Sequence, residues 1–202
     1  MKKIILSLAV LFTSCMKVTV TSSDVASKIT RLNREMPQVK ADLALAKQIK
    51  HSINSDKNSL LYKNNFKDFG SYDIKIIEGR VLLTGAVCNE EIKRYIVNKI
   101  TENLKVRELL DELMISRESP SKFSDFMIKR SINTKIFVTT KIKSLNYEIT
   151  VFNGYVYIIG IASDEDELEL VTKSISTVKG VKKVISYIIT VDSDKKIKLE
   201  FL

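Results

Sequence analysis

Phe123, Phe126 and Arg130 share one side of a segment whose apolar residues recur at helical spacing. With Ile128 and Ile132 as the buried stripe, 100° per residue places Phe126, Arg130 and Phe123 at about 160°, 200° and 220° from Ile128. Those positions point away from a core, and Lys122 and Lys129 flank them. Aromatic rings insert among headgroups and acyl chains while cations meet phosphate, so such a face suits an anionic bilayer, provided the helix has opened by Phe123. Each basic residue near an anionic surface contributes about 1 kcal/mol. A second destination stays open for the same rings, which is packing against another part of the chain.

Other chemistry finds little material. His51 is the only histidine, and it falls among polar residues on a helical segment. An exposed, idle side chain is expected there, because a triad or a metal centre needs converging groups. No glycine-rich run precedes a helix, so a phosphate loop is not expected. The acidic run from Asp164 to Glu169 reads as a capped, solvated first helical turn and not as a metal site. Cys88 is expected to be a small, buried apolar residue. The reading is of a protein that is no enzyme, with no cofactor, no metal and no nucleic-acid partner.

The N-terminus reads as an address. Lys2 and Lys3 precede the apolar run Ile4 to Phe12, which is about half the roughly 20 residues a membrane-spanning helix needs. A basic start, a short apolar stretch and a small-residue exit predict a secretory signal peptide over 1–14. Phe12-Thr13-Ser14-Cys15 resembles a bacterial lipobox, which implies cleavage before Cys15 and acyl chains (palmitate among them) on that cysteine. Two or more chains on one residue give stable anchoring, whereas a single chain binds marginally. Met16 follows Cys15, so the implied address is the periplasmic face of the outer membrane. The formal charge is +9, and loss of Lys2 and Lys3 with the signal leaves +7. In an exported protein, a basic excess points to anionic lipid before nucleic acid.

The elements that must position these residues come as a repeat. Gly79-Arg-Val81-Leu-Leu83-Thr-Gly85 recurs as Gly154-Tyr-Val156-Tyr-Ile158-Ile-Gly160, a shift of 75 positions. The match continues ungapped through Ile100 and Ile175 to Leu113 and Ile188. Self-similarity at fixed spacing means one folding unit copied. Each copy reads as helix, strand, strand, helix, strand. Asn153-Gly154 is a strong two-residue hairpin turn and Glu78-Gly79 a weaker one. Gly85 and Gly160 read as a bulge or as a close approach by a helix. Asn89 and Asp164 are matched N-caps, and Gly180 is a helix-ending glycine. Val106 to Ile115 is locally compatible with helix, but the repeat maps it onto a strand. A strand, crossover helix and strand then give a parallel pair with a right-handed connection.

That order, with the two glycine-flanked hairpins and Gly180-Val181-Lys-Lys-Val184 before the last strand, resembles the BON domain. Behind a lipobox, two such copies resemble the dual-BON outer-membrane lipoproteins. The fold class expected is α+β, with two tandem BON domains. Each has a three-stranded mixed sheet covered by two helices on one face. The boundaries are signal 1–14, lipidated tether 15–41, first domain 42–116, linker 117–120, second domain 121–191 and tail 192–202. Pro37 and Pro120 then lie outside the repeats. Aligning Ile53 with Ile132 sets Ala44, Lys47 and His51 opposite Phe123, Phe126 and Arg130, so the aromatic wedge is expected in one domain only.

The resemblance implies a non-catalytic protein that supports envelope integrity and binds anionic phospholipid through its second domain, with the lipid-contacting aromatic at Phe123. Two alternatives stand beside it. One is a lipid-tethered adaptor docking on envelope proteins, and the other is a soluble periplasmic stress protein without lipid on Cys15.

Overall fold

The computed structural model describes residues 33–55, 70–116 and 122–191. The expected signal peptide, Cys15 with the tether up to residue 32, the whole linker and the tail lie outside the described residues. Two units follow one another with the same element order. The first comprises α1 (Met36–Ser55), β1 (Ser71–Ile77), β2 (Arg80–Val87), α2 (Glu90–Thr101) and β3 (Glu108–Ile115). The second comprises α3 (Lys122–Val138), a 3₁₀ turn (Ser144–Asn146), β4 (Tyr147–Phe152), β5 (Tyr155–Ala162), α4 (Glu165–Ser176) and β6 (Lys183–Thr190). Each unit holds one three-stranded mixed sheet, in the orders β1-β2-β3 and β4-β5-β6.

The register carries the duplication into three dimensions. Tyr72 pairs with Gly85 as Tyr147 pairs with Gly160, antiparallel. Arg80 pairs with Glu108 as Tyr155 pairs with Lys183, parallel. The segment from Glu108 to Ile115 is strand, as the repeat requires and against its local pattern. Both hairpin turns have two successive residues at positive φ, Glu78 (54°) with Gly79 (73°) and Asn153 (50°) with Gly154 (80°). This is the conformation that matches the twist of the flanking strands. What crowds Gly160 is a neighbouring strand and not a helix. A Cβ there would stand 2.2 Å from Cδ1 of Tyr147, its cross-strand partner.

Each hairpin is tied to its own unit's first helix by a buried aspartate. Asp42 accepts from the backbone N–H of Glu78 (2.8 Å) and of Gly79 (3.0 Å). Asp125 accepts from Asn153 (2.7 Å) and Gly154 (2.9 Å). These bonds fix the helix alignment and correct the sequence expectation. Asp42 corresponds to Asp125, so Leu45, Ile49 and Ile53 correspond to Ile128, Ile132 and Ile136, all buried. The helices therefore align at a shift of 83 and not with Ile53 opposite Ile132. Between capping aspartate and hairpin turn the first unit carries eight more residues than the second. That extra length hid the true phase.

A second correction concerns the tether and Pro37. Helix α1 opens at Met36, so Pro37 sits in its first turn, where a missing N–H costs no helical bond. Asn33 and Arg34 are also fixed. The Asn33 amide nitrogen donates to the carbonyl of Ile161 (2.8 Å), and its backbone N–H donates to Oδ1 of Asn146 (3.0 Å). Arg34 pairs with Asp42 (3.2 Å) and donates to the carbonyl of Leu145 (3.3 Å). The last residues of the segment read as a tether thus strap the first helix to the second unit.

Helices cover one face of each sheet. Leu45, Ile49, Ile74, Leu83 and Ile96 belong to the first core, and Ile132, Ile149, Ile158, Val171 and Ile175 to the second. The opposite faces meet each other in a third apolar cluster of Ile77, Leu82, Ala86, Phe152, Tyr157, Ile159 and Ile161, with Leu110 and Ile185 packed against it. The result is helices, sheet, sheet, helices. Ile77 and Phe152, Leu82 and Tyr157, Ala86 and Ile161, and Leu110 and Ile185 are pairs at the 75-residue shift. The two units therefore present the same patch to each other, the hallmark of a two-fold interface.

Candidate functional site

Helix α3 begins at Lys122, so it has opened by Phe123, as the face requires. Asp125 and Ile128 turn inward, and Asp125 is spent on the hairpin. Phe123 is left 77% exposed and Phe126 59% exposed, with Met127 at 43% beside them. Neither ring is sealed inside. Lys122 and Arg130 are exposed and Lys129 half-buried. Burial pushes the Lys129 ammonium below its usual range, as does Lys75, against the opposing pull of Asp73 and Glu148.

These residues form two rows. Phe123, Met127 and Arg130 run along the outer side. Lys122, Phe126 and Lys129 run along the side nearer the first unit. They border a cleft with Ser71, Tyr72, Asp73 and Gly85 of the first unit and Thr150 and Phe152 of β4. Phe126 reaches the inter-unit cleft while most of its surface stays open, so packing between the units accounts for only part of that ring. Met127 was missed in the sequence because it was not aromatic, although it lies one turn from Phe123.

With the helix phase corrected, Lys40, Leu43 and Lys47 stand where Phe123, Phe126 and Arg130 do. All three are exposed, Leu43 at 58%. The first unit therefore carries an aliphatic, ring-free version of the same face, and not the Ala44, Lys47 and His51 that the earlier alignment set there.

The remaining candidates are structural. His51 is exposed. Cys88 is half-buried and packs against the first core. Asp164 caps α4 by accepting from the Glu167 N–H (2.8 Å). Glu167 is buried and accepts from Lys143 N (2.7 Å), Ser163 N (2.9 Å) and Ser163 Oγ (2.7 Å). The corresponding place in the first unit is Ile92, so this carboxylate belongs to one copy only. Sequence reasoning missed it inside the acidic run. Among the described residues, no cluster of three His, Cys, Asp or Glu side chains could hold a metal ion. Among them, too, no helix is long and apolar enough to cross a membrane.

The model of the BON domain family matches residues 124–192, from the third residue of α3 through the end of the second unit. A protein of Anaplasma centrale, described as an uncharacterized protein in the gshII 5′ region, is 35% identical over 124 residues, covering 59% of this chain and 82% of that protein. The chain belongs to the BON-domain family. Outer membrane lipoprotein DolP of Haemophilus influenzae is 24% identical over 184 residues, which is 90% of this chain and 91% of that protein. That likeness runs through both units, whereas the BON match itself lies on the second. A solved structure of CdsD, a structural protein of the type III secretion system of Chlamydia trachomatis, covers 78% of this chain and 97% of its own at 11% identity and a TM-score of 0.31. Lys122 and Phe123 fall just before the matched span, and Phe126, Lys129 and Arg130 fall inside it.

Proposed function

We propose that this chain is an outer-membrane lipoprotein, anchored through Cys15 on the periplasmic face, that binds anionic phospholipid through α3 and supports envelope integrity without catalysing a reaction. The first unit is read as a second BON domain that opens near Asn33 instead of Asp42. The observation that carries the reading is the exposure of Phe123 and Phe126 beside Lys122, Lys129 and Arg130. A folded domain gains nothing internal from leaving two rings in water, and burying apolar area there against acyl chains is favourable. The three cations hold no ion pair within 4 Å among the described residues, although Lys129 lies in the field of Asp73 and Glu148. The similarity to DolP over nine-tenths of both chains supports the envelope address.

The test is co-sedimentation of the full chain with vesicles of phosphatidylglycerol mixed into phosphatidylcholine, against phosphatidylcholine alone. Binding is expected to the anionic vesicles only and to weaken with salt. Equal binding to both, or to neither, would reject the proposal. Mass spectrometry of the mature N-terminus tests the acyl chains on Cys15.

A further inference from the structure

The cleft between α3 and the first unit differs from its counterpart on the other side of the molecule. At the equivalent places there stand Val39, Leu43 and Ala46, where the cleft has Lys122, Phe126 and Lys129. That far side is also crossed by the chain itself. Arg34 lies between Asp42 and the Leu145 carbonyl, and Asn33 bonds Asn146. The far side is thus strapped, and the near side is open and carries two lysines.

The acids in the open cleft are already committed. Asp125 gives both oxygens to the Asn153–Gly154 turn. Asp73 accepts from Ile74 N (2.9 Å) and Thr150 Oγ1 (2.9 Å), with Lys75 3.7 Å away. Lys122 and Lys129 have no such partner among the described residues. Burial and the charge of Lys75 weigh against the ammonium of Lys129 while Asp73 and Glu148 favour it, and an anion seated beside it would favour it further. The lining also includes Thr84, fully buried, whose hydroxyl has no partner among the described residues. Buried polar atoms of this kind mark a place for a polar group or water.

We propose that this cleft takes the phosphate-bearing headgroup of a single phospholipid, held by Lys122 and Lys129 with Phe126 against its glycerol and first acyl carbons. Recognition is then shared between the two units, because the facing wall is Ser71, Tyr72, Asp73 and Gly85 of the first. The inference rests on the phospholipid reading above and adds to it a seat for one molecule, distinct from insertion of the outer row into a bilayer.

The test uses dihexanoyl-phosphatidylglycerol below its micelle concentration, titrated into the full chain and followed by amide chemical shifts. Saturable shifts are expected at Gly85 and Thr150 as well as along α3. Lys129→Ala is expected to weaken this binding at least fivefold, and Lys179→Ala to leave it unchanged. Glycerol 3-phosphate is the second arm, and equal affinity for it would assign the cleft to a free phosphate and overturn the lipid claim. Shifts confined to α3, or unaltered affinity in a folded Lys129→Ala variant, would overturn the shared seat. Vesicle binding without monomer binding would sink the cleft and leave the membrane face standing. Monomer binding without vesicle binding would do the reverse.

Discussion

Tyr187 and Glu112 occupy the same place in the two repeats, and they hydrogen-bond to each other. Equivalent positions can touch only where a two-fold axis passes between them, so this pair marks the axis relating the units. Around it the contacts come in matched couples. Asp73 meets Thr150 (2.9 Å) and Lys75 meets Glu148 (3.5 Å), and Asp73 and Lys75 are the repeat equivalents of Glu148 and Thr150. Arg80 crosses to the Tyr187 carbonyl (3.0 Å) and bonds Glu108 (2.5 Å), closing the seam at one end.

The axial pair sets an alkaline limit. Burial, followed by the hydrogen bond to Glu112 and that group's charge, pushes the Tyr187 hydroxyl up to about 12. Because the folded state holds this proton more tightly than the unfolded chain, the contribution is intact below pH 10. It is lost as the pH rises from about 10 towards 12. Tyr187→Phe is expected to lower stability at neutral pH by about 1 kcal/mol and to flatten that alkaline decline. Urea midpoints measured across pH 8 to 11 check both.

Phe123→Ala with Phe126→Ala is expected to weaken binding to phosphatidylglycerol vesicles by about tenfold or more, since each ring contributes on the order of 1 kcal/mol on partial insertion. The melting temperature is expected to stay within a few degrees, because both rings are mostly exposed. Wild-type binding by the double variant would reject the membrane face.

Asp125→Ala removes the acceptor for two backbone N–H groups, one of them buried with Gly154, and is expected to cost about 2–4 kcal/mol. Asp42→Ala is expected to cost at least as much, because it also strands Arg34, a side chain only 7% exposed. Denaturant unfolding of the two variants side by side gives the comparison. A smaller loss for Asp42 would show that the strap adds nothing to the first unit.

Glu167→Gln is expected to destabilise the second unit by about 1–2 kcal/mol, since the Lys143 and Ser163 N–H groups and the Ser163 hydroxyl converge on its carboxylate. Glutamine can keep one acceptor oxygen but not both. Hydrogen exchange at Lys143 and Ser163 would report the loss locally.

Much of this fold was legible in the residues because it is written twice. The hairpins followed from Glu78-Gly79 and Asn153-Gly154, and β3 followed only because the second copy spelled it more plainly. The phase of α1 was not legible. It depends on Asp42 reaching a turn 36 positions away, across a connection longer than its counterpart, and a polar residue on a helix gives no sign of that. The seam between sheets did leave a trace. Val81-Leu82-Leu83 and the run from Val156 to Ala162 do not alternate, as strands buried on both faces do not. On the site, the outward rings followed from helical geometry alone, while the cleft beside them needed the first unit brought into place.

Asn33 and Arg34 moor the start of α1 to the second unit near Asn146 and Ser163, at the opposite end of its sheet from the Asp125-capped turn where α3 begins. The strap and the ring-bearing helix thus hold opposite ends of one sheet, and the contacts that secure the entry of α1 leave the outer side of α3 uncovered.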